Sequence, residues 1–196
     1  MKKPLWIISL ALAAFWGWTQ PALAETPTAY ARGILDQVMG LQNDPALSNQ
    51  TRAQAIPKII ERNFDFTMMA RDSLGTTYAR LSGAQRQEFT RTFSYLFQDA
   101  YTRLVLNFLK KENIQYGREL PEGDRARVDT TIVRTNENIP VTYLMHTAPQ
   151  GWILYDVMVD GVSILQNYKT QFAQVIRTKS FEVLLNKMQE QRRAIQ

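Results

Sequence analysis

Trp152-Ile153-Leu154-Tyr155-Asp156-Val157-Met158-Val159 is a run of eight residues carrying one charge, and Asp160-Gly161 follows it at once. Eight residues suit a strand better than a helix, and Asp-Gly is a turn dipeptide. A strand that is apolar at both odd and even positions must be covered on both faces. The sheet that holds it is therefore enclosed by other elements.

Upstream of that strand the apolar residues fall on every second position. Ile114 and Tyr116 come first, then Val128, Thr130 and Ile132, then Val141, Tyr143 and Met145. Pro121-Glu122-Gly123, Asn136-Glu137-Asn138 and Pro149-Gln150-Gly151 supply turns between them. The spacing predicts an antiparallel meander of about four strands.

On either side of the meander the period lengthens to that of a helix. Residues 28–41 place Ile34, Leu35 and Val38 on one face, and residues 48–62 do the same with Ile56, Ile59 and Ile60, with Asn43-Asp44-Pro45 between the two. A short helix is expected to start at Asp65, whose carboxylate can cap the amides of Thr67 and Met68, and to end near Gly75. Ser82-Gly83-Ala84-Gln85 is a capping box. After it, apolar positions from Phe89 to Leu109 keep helical register for about seven turns, closed by Lys110-Lys111. Beyond Gly161, Leu165, Tyr168, Phe172, Val175 and Ile176 mark one helix and Phe181, Leu184, Leu185 and Met188 another, with a polar tail from Gln189 that should fray.

This order describes an α+β domain: a curved antiparallel sheet of about four strands wrapped by several helices. Aromatic residues make up 11% of the chain, and beyond residue 24 they gather on the long helix, the last two strands and the helix after Gly161. A packed core accounts for most of them. The functional alternative is an apolar cavity between sheet and helices that do not close fully on each other.

The start of the chain reads differently. Lys2-Lys3, an apolar stretch of about 14 residues from Leu5 to Trp18, and Ala22-Leu23-Ala24 have the order of an export signal. The stretch falls short of the ~20 residues that span a bilayer, and Gly17 and Pro21 interrupt the segment. Cleavage is expected after Ala24, so residues 1–24 form a removable leader and 25–196 a single domain. Of the 23 basic residues two lie in the leader, leaving 21 against 18 acidic ones. That small excess gives no reason to expect a nucleic-acid partner. There is no cysteine, hence no acylated thiol, no disulfide and no thiolate metal site, which suits a bacterial periplasm.

Signs of catalysis are sparse. His146 is the sole histidine, so no two-histidine metal site is possible and a structural role is expected. Ser163, in Gly161-Val162-Ser163-Ile164-Leu165, lacks the second glycine of a nucleophile elbow and reads as a helix cap. Asp156 could serve as a general base if burial raised its pKa, or it could simply be hydrogen-bonded near a strand end. No phosphate loop, dinucleotide fingerprint or carboxylate cluster occurs.

Three stretches resemble the MlaC family, the periplasmic phospholipid-binding proteins of the Mla pathway, also known as the toluene-tolerance family. The first is Phe64-Asp65-Phe66 with Met69-Ala70 and Leu74-Gly75. The second is Leu81-Ser82, Gln85-Arg86, Phe89, Phe93, Leu96 and Tyr101. The third joins Trp152-Ile153-Leu154-Tyr155-Asp156-Val157 to Gly161-Val162-Ser163-Ile164, Asn167-Tyr168-Lys169 and Phe172. Asp160 stands where the family often has Glu, and Lys169 where it often has Arg, a change that gives up a bidentate fork.

The resemblance implies a non-enzymatic, monomeric carrier with no cofactor, its cargo being a phospholipid held by its acyl chains with the headgroup near solvent. It implies two partners: an inner-membrane ABC transporter complex with a substrate-binding ring, and an outer-membrane lipoprotein–porin complex. Maintenance of outer-membrane lipid asymmetry is the implied role. Two chains of ~30 methylenes together, at ~0.8 kcal/mol each, represent on the order of 24 kcal/mol of burial, so a shallow groove would not suffice. Periodicity and the resemblance together place the tail-contacting set at Phe93, Phe97, Tyr101 and Leu104, at Val141, Tyr143 and Met145, at Leu154 and Tyr155, and at Val162, Leu165 and Phe172. An exported isomerase or hydrolase using Asp156, and a periplasmic protein-binding adaptor, are the competing readings.

Overall fold

The computed structural model describes residues 25–109 and 112–194. The leader read at residues 1–24, and Lys110-Lys111 at the end of the long helix, lie outside the described residues. Seven helices and five strands run in the order α1 (Pro27–Asn43), α2 (Asn49–Asn63), α3 (Phe66–Leu74), α4 (Thr76–Arg80), α5 (Gly83–Phe108), β1 (Asn113–Glu122), β2 (Arg125–Val133), β3 (Asn138–Ala148), β4 (Gly151–Val159), β5 (Val162–Ser163), α6 (Ile164–Thr178) and α7 (Phe181–Arg193).

The sheet is a meander in which each strand pairs antiparallel with the next. The α+β class expected from the sequence is thus observed. Two details differ. A fifth strand of two residues follows Asp160-Gly161, and β1 continues through Pro121-Glu122, with the turn falling one step later. Pro121 is tolerated because β1 is an edge strand. Asp160 (φ 50°) and Gly161 (φ 77°) form a two-residue turn between Val159 and Val162. Both positions lie in the left-handed region, which an Asp-Gly pair tolerates better than most dipeptides.

Register shifts bend the sheet at two places. One lies between Tyr116 and Glu119 of β1. In the other, Leu144 faces Asp156 while Met145 faces Leu154, so Tyr155 is the extra residue of a bulge.

The capping box forms as read: the Gln85 amide donates to Ser82 Oγ, and Gln85 Oε1 accepts from the Ser82 amide. It opens a 26-residue helix of about 39 Å. Along one face of α5 the rings of Phe89, Phe93, Phe97 and Tyr101 follow each other at centroid distances of 6.0, 6.2 and 5.6 Å. From α6, Tyr168 and Phe172 meet Phe93 edge-on, Phe181 of α7 reaches Phe89, and Phe64 and Phe66 reach Phe97. Each such pair adds about 0.5–1.5 kcal/mol beyond its buried area. This aromatic zipper locks α3, α6 and α7 onto the first half of α5. The tail after Gln189 stays helical through Arg193, with Gln189 donating to Glu88 of α5.

Candidate functional site

The second half of α5 packs differently. Past Tyr101 the aromatic ladder gives way to aliphatic residues, and two apolar voids open along one stripe of the helix. One, of about 30 Å³, lies against the sheet and is lined by Leu104, Ile132, Ile139, Val141, Val157 and Val159. The other, of about 20 Å³, lies toward α1 and α2 and is lined by Ile34, Leu35, Val38, Ile59, Ile60, Phe64 and Leu154. Tyr101, Val105, Leu109 and Tyr143 line both.

Tyr101 on α5 and Tyr143 on β3 bring the only polar side chains among the described residues of either lining. Their hydroxyls interact with each other, and that of Tyr143 also interacts with Thr130. Burial pushes the Tyr143 phenol well above its ordinary range and raises that of Tyr101 too. Both are neutral hydroxyls throughout the physiological range.

A polar groove lies beside the first void. Asn107, one turn beyond Leu104, and Val133, next to Ile132, line it together with Glu112, Arg134 and Glu137. Arg134 reaches Glu137 at 2.9 Å and Glu112 at 3.6 Å. Hydrocarbon-facing and water-facing surfaces therefore meet within one helical turn.

Of the residues singled out from the sequence, Tyr101, Leu104, Val141, Tyr143 and Leu154 line the voids. Met145 is fully buried. Phe93, Phe97 and Phe172 belong to the aromatic zipper, and Leu165, buried at the start of α6, lines a separate groove with Asp156 and Lys169, so none of these lines either apolar void. Tyr155, at the bulge, stands beside the His146 ring with the Arg125 guanidinium over it. Val162 is 61% exposed on the two-residue strand β5. Val105 and Leu109 were missed, although they follow Tyr101 at four-residue steps. The wall supplied by α1 and α2 carried no signal beyond ordinary helix periodicity.

The Asp156 carboxylate accepts three hydrogen bonds. They come from its neighbour's amide, Val157 N (2.8 Å), from Ser163 Oγ (2.5 Å) and from Leu165 N (3.0 Å) in the first turn of α6. Ser163 in turn caps α6 by accepting from Gln166 N. Asp156 is 5% exposed. Its lone pairs are committed to holding α6 on β4, which is the hydrogen-bonded alternative weighed above. His146 is also structural: Nε2 lies 3.0 Å from Asp65 Oδ2. Among the described residues no group of three acidic, histidine or cysteine side chains could hold a metal, and no helix is long and apolar enough to cross a membrane.

Comparison with known proteins decides the family. The family model described as MlaC protein matches residues 32–190. This chain belongs to the MlaC family. The intermembrane phospholipid transport system binding protein MlaC of Haemophilus influenzae is 24% identical over 203 residues, covering 97% of this chain and 93% of that protein. A solved structure of a phospholipid-binding protein from Ralstonia solanacearum, in complex with a phospholipid, superposes with a TM-score of 0.76 at 22% identity. It covers 87% of this chain and 98% of that one. The MlaC resemblance read from the three sequence stretches is confirmed, and the α+β architecture is that of the Ralstonia protein.

Proposed function

We propose that this chain is a soluble periplasmic phospholipid carrier that moves glycerophospholipids between the outer and inner membranes and so maintains outer-membrane lipid asymmetry. On this reading residues 1–24 are cleaved and 25–196 act as one lipid-binding domain. The partners are an inner-membrane ABC transporter with its substrate-binding ring and an outer-membrane lipoprotein–porin complex. The observation that carries the proposal is the pair of apolar voids flanking the second half of α5, in a chain of the MlaC family. The phospholipid transport system of the Haemophilus relative and the phospholipid bound by the Ralstonia protein support it.

Voids of about 30 and 20 Å³ are roughly ten- and fifteenfold smaller than the ~300 Å³ at the lower end of ligand pockets. Loading a lipid thus requires α5, the sheet and the α1–α2 pair to move apart. The acyl chains then replace protein–protein contacts, and the headgroup lies toward the groove at Asn107 and Arg134. A carboxylate with three donors on it offers no free base, which supports the reading of a non-enzymatic carrier.

The test is mass spectrometry of the organic extract of protein purified from a periplasm. Near-stoichiometric phospholipid is expected. Bound polypeptide without lipid would favour the adaptor, and turnover of a small substrate lost in Asp156→Asn would favour the enzyme.

A further inference from the structure

The two voids branch from a shared wall, and Tyr101 and Tyr143 stand on it from opposite elements. While α5 and β3 are packed together, the two phenols share one buried and otherwise apolar wall. Separating helix from sheet pulls Tyr101 away from Tyr143. The Tyr101 hydroxyl then faces hydrocarbon, where an unpaired donor is costly, while that of Tyr143 keeps only Thr130. A two-tailed ester lipid carries carbonyl acceptors where its tails diverge from the glycerol. The protein's branch point and the lipid's branch point therefore have complementary chemistry.

We propose that Tyr101 and Tyr143 hold the ester carbonyls of a two-tailed lipid, one tail running into each void, so that the site selects ester-linked over ether-linked lipids. This inference rests on the carrier reading above. An ether oxygen is a much poorer acceptor than a carbonyl, and it leaves the phenols short of a partner in an otherwise apolar site.

The experiment uses delipidated protein and vesicles equimolar in dioleoyl phosphatidylglycerol and its dialkyl ether analogue, followed by extraction and quantification of the protein-bound lipid. The expected ester-to-ether ratio is about five- to tenfold, the worth of one net hydrogen bond. Tyr101→Phe and Tyr143→Phe, which keep the ring and remove the hydroxyl, should each bring the ratio close to one. Equal uptake of the two lipids by the unaltered protein overturns the proposal without reference to any variant, and so does a preference that survives in both variants. Uptake of neither lipid removes the carrier reading itself, whereas equal uptake leaves it standing.

Discussion

Asp65 Oδ2 and His146 Nε2 lie 3.0 Å apart although 81 residues separate them in the chain. The other oxygen of the same carboxylate accepts from Met68 N at 2.8 Å, and the Asp65 amide donates to Leu154 O at 2.8 Å. One residue thus caps α3 and fastens the α2–α3 junction to both β3 and β4. Asp65→Ala is expected to cost about 2–3 kcal/mol, roughly 1 for the cap and the rest for the histidine contact. His146→Ala should cost about 1 kcal/mol, and a double-mutant cycle should show coupling of ~0.5 kcal/mol or more. Urea unfolding measures all three. Strict additivity would mean the contact contributes nothing.

Asp156→Ala removes the acceptor shared by Val157 N, Ser163 Oγ and Leu165 N, and leaves two amides and a hydroxyl to find water in a buried place. A loss of about 3 kcal/mol is expected from these combined, read as a lowered melting temperature. Asp156→Asn keeps an acceptor and should lose less. Equal melting of the alanine variant and the unaltered protein would show that the triple contact does not hold α6.

Asp129 supplies an acid-side signature. Burial alone would raise its carboxyl, but hydrogen bonds from Arg127 and Thr142 and the charges of Arg127 and Arg118 outweigh burial and hold it below the ordinary value. The contribution is therefore present above the unfolded carboxyl pKa of about 3.9 and is lost as pH falls below it. Asp129→Asn should lower stability by about 0.5–1 kcal/mol at neutral pH. Chemical denaturation at a series of pH values should show that gap closing below pH ~4. A gap independent of pH would contradict the assignment.

Tyrosines supply the alkaline counterpart. Burial raises Tyr101, Tyr116, Tyr143 and Tyr168, and burial followed by the charge of Glu25 raises Tyr30 to about 12. A phenol whose folded value exceeds its unfolded ~10 stabilises the fold fully below pH ~10 and loses that effect as pH climbs through the folded values. Tyrosinate absorbance should show five of the eight tyrosines ionising late, together with loss of the near-ultraviolet circular dichroism. Smooth titration of all eight near pH ~10 with the fold intact would be the contrary result.

Local signals carried most of the architecture. Ser82 and Gln85, Asp65 before Met68, and the two-residue period through Val141, Tyr143 and Met145 act over distances of a few residues, so composition and spacing reveal them. The site was only half legible for the same reason. Phe93 and Phe97 have the same period and chemistry as Tyr101 and Leu104, and what separates them is which helix lies opposite: α6 and α7 for the zipper, sheet and α1–α2 for the voids. Tyr155 could not be placed by alternation because it is the extra residue of a bulge, which breaks the period at that point. The Asp65–His146 contact is a matter of tertiary proximity with no local pattern at all.

The tightness around Tyr101 has a mechanical consequence. Voids of about 30 and 20 Å³ with almost wholly apolar walls offer water too few partners to enter, and little volume is recovered when they collapse. Hydrostatic pressure acts on the volume difference between states. The closed protein should therefore resist compression well, whereas any widened arrangement that packs less densely should not. Squeezing a loaded carrier ought to drive it toward the closed arrangement and expel its lipid, making pressure a handle on release that requires neither a partner protein nor a change of sequence.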